Sequence, residues 1–204
     1  GDPATGAGAG RLIDGLGFPS FGSTGDVASI GNVTDTNGMV NGFVGESAVL
    51  LSGRIVALEG QAMPGLAGLT FNSFFDVAVN DAGQVAFGAA ARFEKPAIFR
   101  TTPDGTLELV IDSEDALDVR GETRTTFNVA FPTSGNAFNS RGDVAFIASF
   151  FDRGVVEQGV FLYEAERVAG AAPIPLPASA WLSLGAFAGL GLVRARRGAG
   201  AGTL

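Results

Sequence analysis

Three stretches of this sequence repeat one another, and no other feature constrains the fold as much. "GDVASIGN" begins at Gly25, "GQVAFGAA" at Gly83 and "GDVAFIAS" at Gly142, at spacings of 58 and 59 residues. The second and third copies extend further, with Val79-Asn80-Asp81-Ala82-Gly83-Gln84-Val85-Ala86-Phe87 matching Phe138-Asn139-Ser140-Arg141-Gly142-Asp143-Val144-Ala145-Phe146. In the first copy, Thr24-Gly25-Asp26-Val27-Ala28-Ser29, the Asn and the Phe are missing. A second landmark runs in step: "GDPATG" at Gly1, "GQAMPG" at Gly60 and a degenerate "GETRTT" at Gly121, 59 and 61 residues apart. A fixed period of this length implies units that stack on their neighbours.

The chemistry of one unit reads as antiparallel strands. Asn-x-x-Gly is turn chemistry, because Gly accepts positive φ and the Asn side chain can bond its own backbone two residues on. The flanking stretches "FFDVAV" and "QVAFGAA" then pair as a hairpin. Further along, "PAIFRTT", the turn Pro103-Asp104-Gly105 and "TLELVI" form a second hairpin, for which Asp-Gly is a strong signal. The counterparts are "SAVLLSGRIVALEG" in the first unit and "GVFLYEAERVAG" in the third. Two hairpins in about 60 residues make about four strands, the content of a propeller blade. Seventeen Phe against one Tyr and one Trp imply a repeated packing role for phenylalanine.

The expected fold is therefore mainly β: four-stranded antiparallel repeats forming a partial β-propeller or stacked sheets over residues 1–170. The sequence resembles bacterial tandem-repeat, propeller-like surface proteins built from Asn-x-x-Gly-x-Val-Ala-Phe units between Gly-Asp-Pro-x-x-Gly turns. The resemblance spans roughly residues 1–168 and supplies no molecular function. Three units fall short of the four to eight blades that close a propeller. Gly1 falls on an inter-unit turn, so the chain reads as the C-terminal part of a longer protein. The alternative is an open or curved stack of sheets that pairs with another copy.

The end of the chain has a different character. Residues 172–193 carry no charge, and Pro173, Pro175 and Pro177 hold the start extended. A helix from Ala178 to Val193 would rise about 24 Å, slightly short of a roughly 30 Å hydrocarbon core. Arg194, Arg196 and Arg197 would mark the cytoplasmic side, leaving the body outside. The expected division is a Pro-rich motif over 171–178, a transmembrane helix over 179–193 and a basic cytoplasmic tail over 194–204.

This order resembles the PEP-CTERM class of sorting signals, in the variant with Val-Pro-Leu-Pro-Ala. The matching residues are Ile174, Pro175, Leu176, Pro177 and Ala178, with Ile in place of Val. The resemblance implies a Gram-negative bacterium, a membrane-embedded exosortase as processing partner, and contact with the lipid bilayer through 179–193. It places the precursor in the inner membrane and implies release of the body to the cell surface, or its secretion, with exopolysaccharide as an expected partner. The alternative is a plain C-terminal membrane anchor carrying a carbohydrate- or protein-binding module, and a surface hydrolase is less favoured.

Composition narrows the chemistry further. The chain has no Cys and no His, which removes thiol nucleophiles, thiolate zinc sites and the usual general base. No acidic residue follows Val193 and three arginines do, so residues 1–193 carry −11 within a total of −8. Such a body repels phosphate backbones, so no nucleic-acid partner is expected. The densest acidic run, Asp112-Ser113-Glu114-Asp115 with Asp118, has the oxygen ligands that calcium takes but not the calcium-loop spacing, and reads as a solvated loop. Arg141-Gly142-Asp143 coincides with a repeat turn, which accounts for it without receptor binding. Gly6-Ala7-Gly8-Ala9-Gly10 reads as a linker. No catalytic residue, metal ligand or cofactor is expected, and the protein is read as non-catalytic.

Overall fold

In the computed structural model, the structure describes residues 2–3, 11–17, 19–35, 45–91, 95–132, 137–152 and 154–165. These residues are mainly strand, arranged in antiparallel sheets that curl as a half-barrel, and no helix occurs among them. The segments 171–178, 179–193 and 194–204 lie outside the described residues, and with them the proline motif, the expected span and the arginines.

The first sheet runs β1 (Asp2–Pro3), β2 (Arg11–Leu16), β4 (Val27–Asp35), β5 (Glu46–Leu51) and β6 (Arg54–Leu58), with the short β3 (Ser20–Phe21) also paired to β4. The second is a plain meander of β7 (Phe71–Val79), β8 (Val85–Ala91), β9 (Lys95–Thr101) and β10 (Leu107–Asp112). The third joins β11 (Ala116–Val119), β12 (Glu122–Ala130), β13 (Val144–Asp152) and β14 (Val155–Tyr163) in sequence order. The expected hairpins are present: β7 with β8 across the Asn80 turn, β9 with β10 across Pro103-Asp104-Gly105, and β5 with β6. In the third unit "GVFLY" is β14, and its expected return arm over 166–170 lies outside the described residues.

The repeat glycines take the backbone conformation for which the turns need them, with φ of 89° at Gly25, 71° at Gly83 and 87° at Gly142. Each turn closes with the same two bonds. Asn80 N–H meets the Gln84 carbonyl and Gly83 N–H the Asn80 carbonyl; Asn139, Gly142 and Asp143 repeat the pattern. The first copy, weakest in sequence, makes it with Gly22 in the Asn position: Gly22 N–H donates to the Asp26 carbonyl and Gly25 N–H to that of Gly22.

One expectation is corrected. Phe71 pairs with Ala91 and Thr126 with Phe150, and Ala91 and Phe150 lie one 59-residue period apart, so Phe71 and Thr126 are equivalent. Before them, Phe71 N–H donates to the Gln61 carbonyl and Thr126 N–H to that of Asp115. The inter-unit turn of the third unit therefore lies near Asp115, not at Gly121. Arg120 and Gly121 instead form the tight β11–β12 turn, both at positive φ. The physical reason is an excursion between Ala130 and Phe138. In the second unit a single bulged residue, Asp76, interrupts the matching strand between Phe75 and Val77.

Alternation along the strands gives each sheet two faces. Val85, Phe87 and Ala89 of the second sheet pack with Ala28, Val49, Leu51 and Ala57 of the first. Val144, Phe146, Ala148 and Phe150 of the third pack with Ala78, Ala86 and Ile98 of the second. Phe87 and Phe146, at 0% and 1% exposure, thus hold equivalent places in successive interfaces. The phenylalanines meet as ring pairs, Phe87 with Phe99 at 5.7 Å and Phe146 with Phe161 at 5.6 Å. Burying each such ring contributes roughly 1.5–3 kcal/mol.

Candidate functional site

The polar groups with the most chemical potential gather along the stacked turns. Asn80 Oδ1 accepts from the Ala82 and Gln84 N–H groups at 3.0 and 2.9 Å, and Asn139 Oδ1 from those of Arg141 and Asp143, both at 3.0 Å. Neighbouring turns are then tied together. Asn80 Nδ2 donates to the Asn139 carbonyl at 2.7 Å, and Ser23 N–H donates to Asp81 Oδ1 at 3.2 Å. The hydrogen bonds from Ser23 hold the Asp81 carboxyl below its ordinary range.

A second cluster clasps the second sheet to the third. Arg100, with a side chain only 6% exposed, pairs through Nε with Glu108 and donates from Nη1 to the Gly142 carbonyl at 3.0 Å. Its guanidinium carbon lies 5.3 Å from the centre of the Tyr163 ring, and Tyr163 OH donates to Glu108 Oε1 at 3.1 Å. Burial, joined by the neighbouring Glu108 charge, pushes the Tyr163 phenol upward. This phenol is a poor candidate for proton transfer near neutral pH. The sequence reading missed this cluster because Arg100, Glu108 and Tyr163 share no motif and meet only through the stacking of two sheets.

The sequence candidates within the described residues are occupied by their own turns. Asp112 Oδ1 accepts the Glu114 N–H at 2.7 Å, Asp115 Oδ2 the Asp112 N–H at 3.0 Å, and Asp118 Oδ1 the Gly121 N–H at 2.7 Å. Glu114 also meets Lys95 Nζ at 2.6 Å. No cluster of three or more carboxylates suited to a metal ion occurs among the described residues. At Arg141-Gly142-Asp143 the arginine folds back onto the aspartate, 2.6 Å from Nη2 to Oδ2, and the Asp143 side chain is 7% exposed. Burial opposes ionisation of Asp143. The bonds from Asn139, Arg141 and the Ala165 N–H outweigh it and hold the carboxyl below its usual value. The Asp143 carboxylate is thus turned into its own turn rather than presented to solvent.

No helix among the described residues is long and apolar enough to cross a membrane. Ile174, Pro175, Leu176, Pro177, Ala178, Arg194, Arg196 and Arg197 are not among those residues, so the structure brings none of them to the clusters above.

Fold and turns together define a mainly β protein of antiparallel sheets joined through their hairpin turns. Residues 1–180 match a family model described as a family of unknown function, DUF7453, and the chain belongs to that family. No curated protein matches it.

Proposed function

We propose that this chain is a non-catalytic exported protein of the bacterial surface or exopolysaccharide matrix, sorted and processed by an exosortase through its C-terminal signal. The observation that carries the reading is the order of the tail: Ile174-Pro175-Leu176-Pro177-Ala178, an uncharged stretch through Val193, then Arg194, Arg196 and Arg197. In this reading residues 179–193 hold the precursor in the inner membrane and the body is a partial propeller outside it. The use of Asn80, Arg100 and Glu108 in joining the sheets supports a structural rather than catalytic body.

The test separates a sorting signal from a plain anchor. In a host with the matching exosortase, mass spectrometry of the parent's C-terminus should find residues beyond about Ala178 missing. Pro175→Ala with Pro177→Ala keeps the segment apolar and favours helix, since Ala is the better helix former. A sorting signal then fails and leaves uncut precursor. An intact Leu204 on the parent protein in that host would sink the proposal and leave the anchor.

A further inference from the structure

In each internal interface, one sheet's near face, looking back along the chain, lies on the far face of the sheet before it. The near face of the third sheet carries Val144, Phe146, Ala148 and Phe150. Alternation then puts Ile147, Ser149 and Phe151 on its far face, with their β14 partners Val160, Gln158 and Val156. Phe127, at the irregularity in β12, stacks its ring on that of Phe151 at 4.3 Å. Phe151, Val156 and Val160 all stand exposed. The second sheet shows the same face under cover. Ile98 sits opposite Gly88 and Val160 opposite Ile147, and Gly88 and Ile147 lie one 59-residue period apart, so Val160 holds the position of Ile98. Ile98 is 0% exposed beneath the third sheet, whereas Val160 is 52% exposed.

The other end of the stack offers no matching face. On the outward side of the first sheet, Val33, Ala48, Leu50 and Leu58 are buried as a core cluster of their own. A second copy therefore has no open near face with which to continue the internal stacking. What it does carry is the same far face of its own third sheet.

Charge favours that match. The charged residues of β12, β13 and β14 are Glu122, Arg124, Asp152 and Glu157, and the three carboxylates all pair with Arg124. Arg124 lies over the Phe150 ring, so this cluster belongs to the near side. The polar residues between the far-face apolar groups, Asn128, Ser149 and Gln158, are uncharged. A net charge of −8 opposes self-association wherever like charges meet, and on these three strands the far face presents none.

We infer that the far faces of the third sheets of two copies pack on each other about a twofold axis. Such a contact brings the same surface from both copies and requires it to be self-complementary. An apolar, uncharged face meets that requirement without opposing like charges. The inference rests on the sheet face and is independent of the sorting proposal.

The test is sedimentation of the full chain in mild detergent. The parent should be a dimer. Val156→Asp and Val160→Asp should each weaken dimerisation at least about tenfold, by forcing carboxylates into an apolar contact. Phe21→Asp, on the first sheet, should leave it unchanged. All three sites are exposed, so an unchanged far-ultraviolet dichroism spectrum verifies folding. The chain has no Cys, so Gln158→Cys supplies a lone thiol in the middle of the far face. A short bismaleimide should join two copies of that variant and not two copies of Phe21→Cys. A monomeric parent overturns the inference; if an insoluble neutral polysaccharide pulls that monomer down but not Val160→Asp, the face binds a glycan instead. A dimer that survives both valine substitutions, as association through residues 179–193 would give, also overturns it. So does a dimer lost equally with Phe21→Asp, or one in which Gln158→Cys fails to cross-link.

Discussion

Asn80 Nδ2 donates to the main-chain oxygen of Asn139 at 2.7 Å, and the two residues are the same position of consecutive units, 59 residues apart. The repeat period is thus expressed as a direct bond between equivalent residues. One side chain closes its own turn and holds the next turn in place, which joins local conformation to the stacking of sheets.

The two asparagines should therefore differ in cost. Asn80 is buried, and Asn80→Ala leaves the Asn139 carbonyl and the Gln84 side chain short of partners. With about 1–3 kcal/mol for each buried group left unsatisfied, the variant should lose roughly 3 kcal/mol. Asn139→Ala breaks its own turn but keeps the bond between units, since the acceptor there is backbone; about 1–2 kcal/mol is expected. Urea midpoints of the full chain test this ordering, and equal losses would contradict it.

Phe87→Ala and Phe146→Ala should each cost roughly 3–5 kcal/mol, as expected for emptying a buried ring site. Phe151→Ala, at 63% exposure, should change stability by no more than about 0.5 kcal/mol in the monomer. A surface-like response at Phe87 or Phe146 would refute their shared place in successive interfaces.

Gly142 and Gly25 share one backbone conformation but not one environment. A Cβ on Gly25 meets nothing within 4 Å, whereas one on Gly142 would lie 2.2 Å from Arg100 Nη1. Gly25→Ala should cost the left-handed strain alone, about 1–2 kcal/mol. Gly142→Ala should cost more, because Arg100 must leave the Gly142 carbonyl. In Gly142→Ala with Arg100→Ala the excess should shrink, and denaturation of the four variants forms the cycle that measures it.

Local chemistry was the legible part of this fold. Turn residues and strand alternation act within a few positions, so the Asn80 and Asp104 hairpins and the equivalence of Phe87 and Phe146 could be read directly. The first turn was harder, because Gly22 reaches through backbone freedom the conformation that Asn80 reaches with its side chain. Gly121 misled because sequence spacing cannot separate a true landmark from a tight turn in step with it when an excursion near Phe131 shifts the count. The Arg100–Glu108–Tyr163 clasp is tertiary. Its members belong to two sheets and leave no periodic trace.

Two carboxylates should give opposite responses to pH. The Asp143 carboxyl is held below its ordinary value, so its contribution is present above the unfolded value of about 3.9 and is lost as pH falls through the folded one. Asp143→Asn should lower stability at pH 7, and the deficit should narrow in strong acid. Burial raises the Asp76 carboxyl, so the folded protein binds its proton more readily than the unfolded chain does. Its ionised form therefore opposes folding at neutral pH, and that opposition fades as pH falls through the raised value. Asp76→Asn should be more stable than the parent at pH 7 and lose the advantage in acid. The backbone permits the test, since φ at Asp76 is 51° and Asn tolerates that region. Urea midpoints of both variants and the parent, followed from neutral pH into acid, give the two curves. A parallel offset at every pH for either variant would remove that carboxyl's titration as the cause.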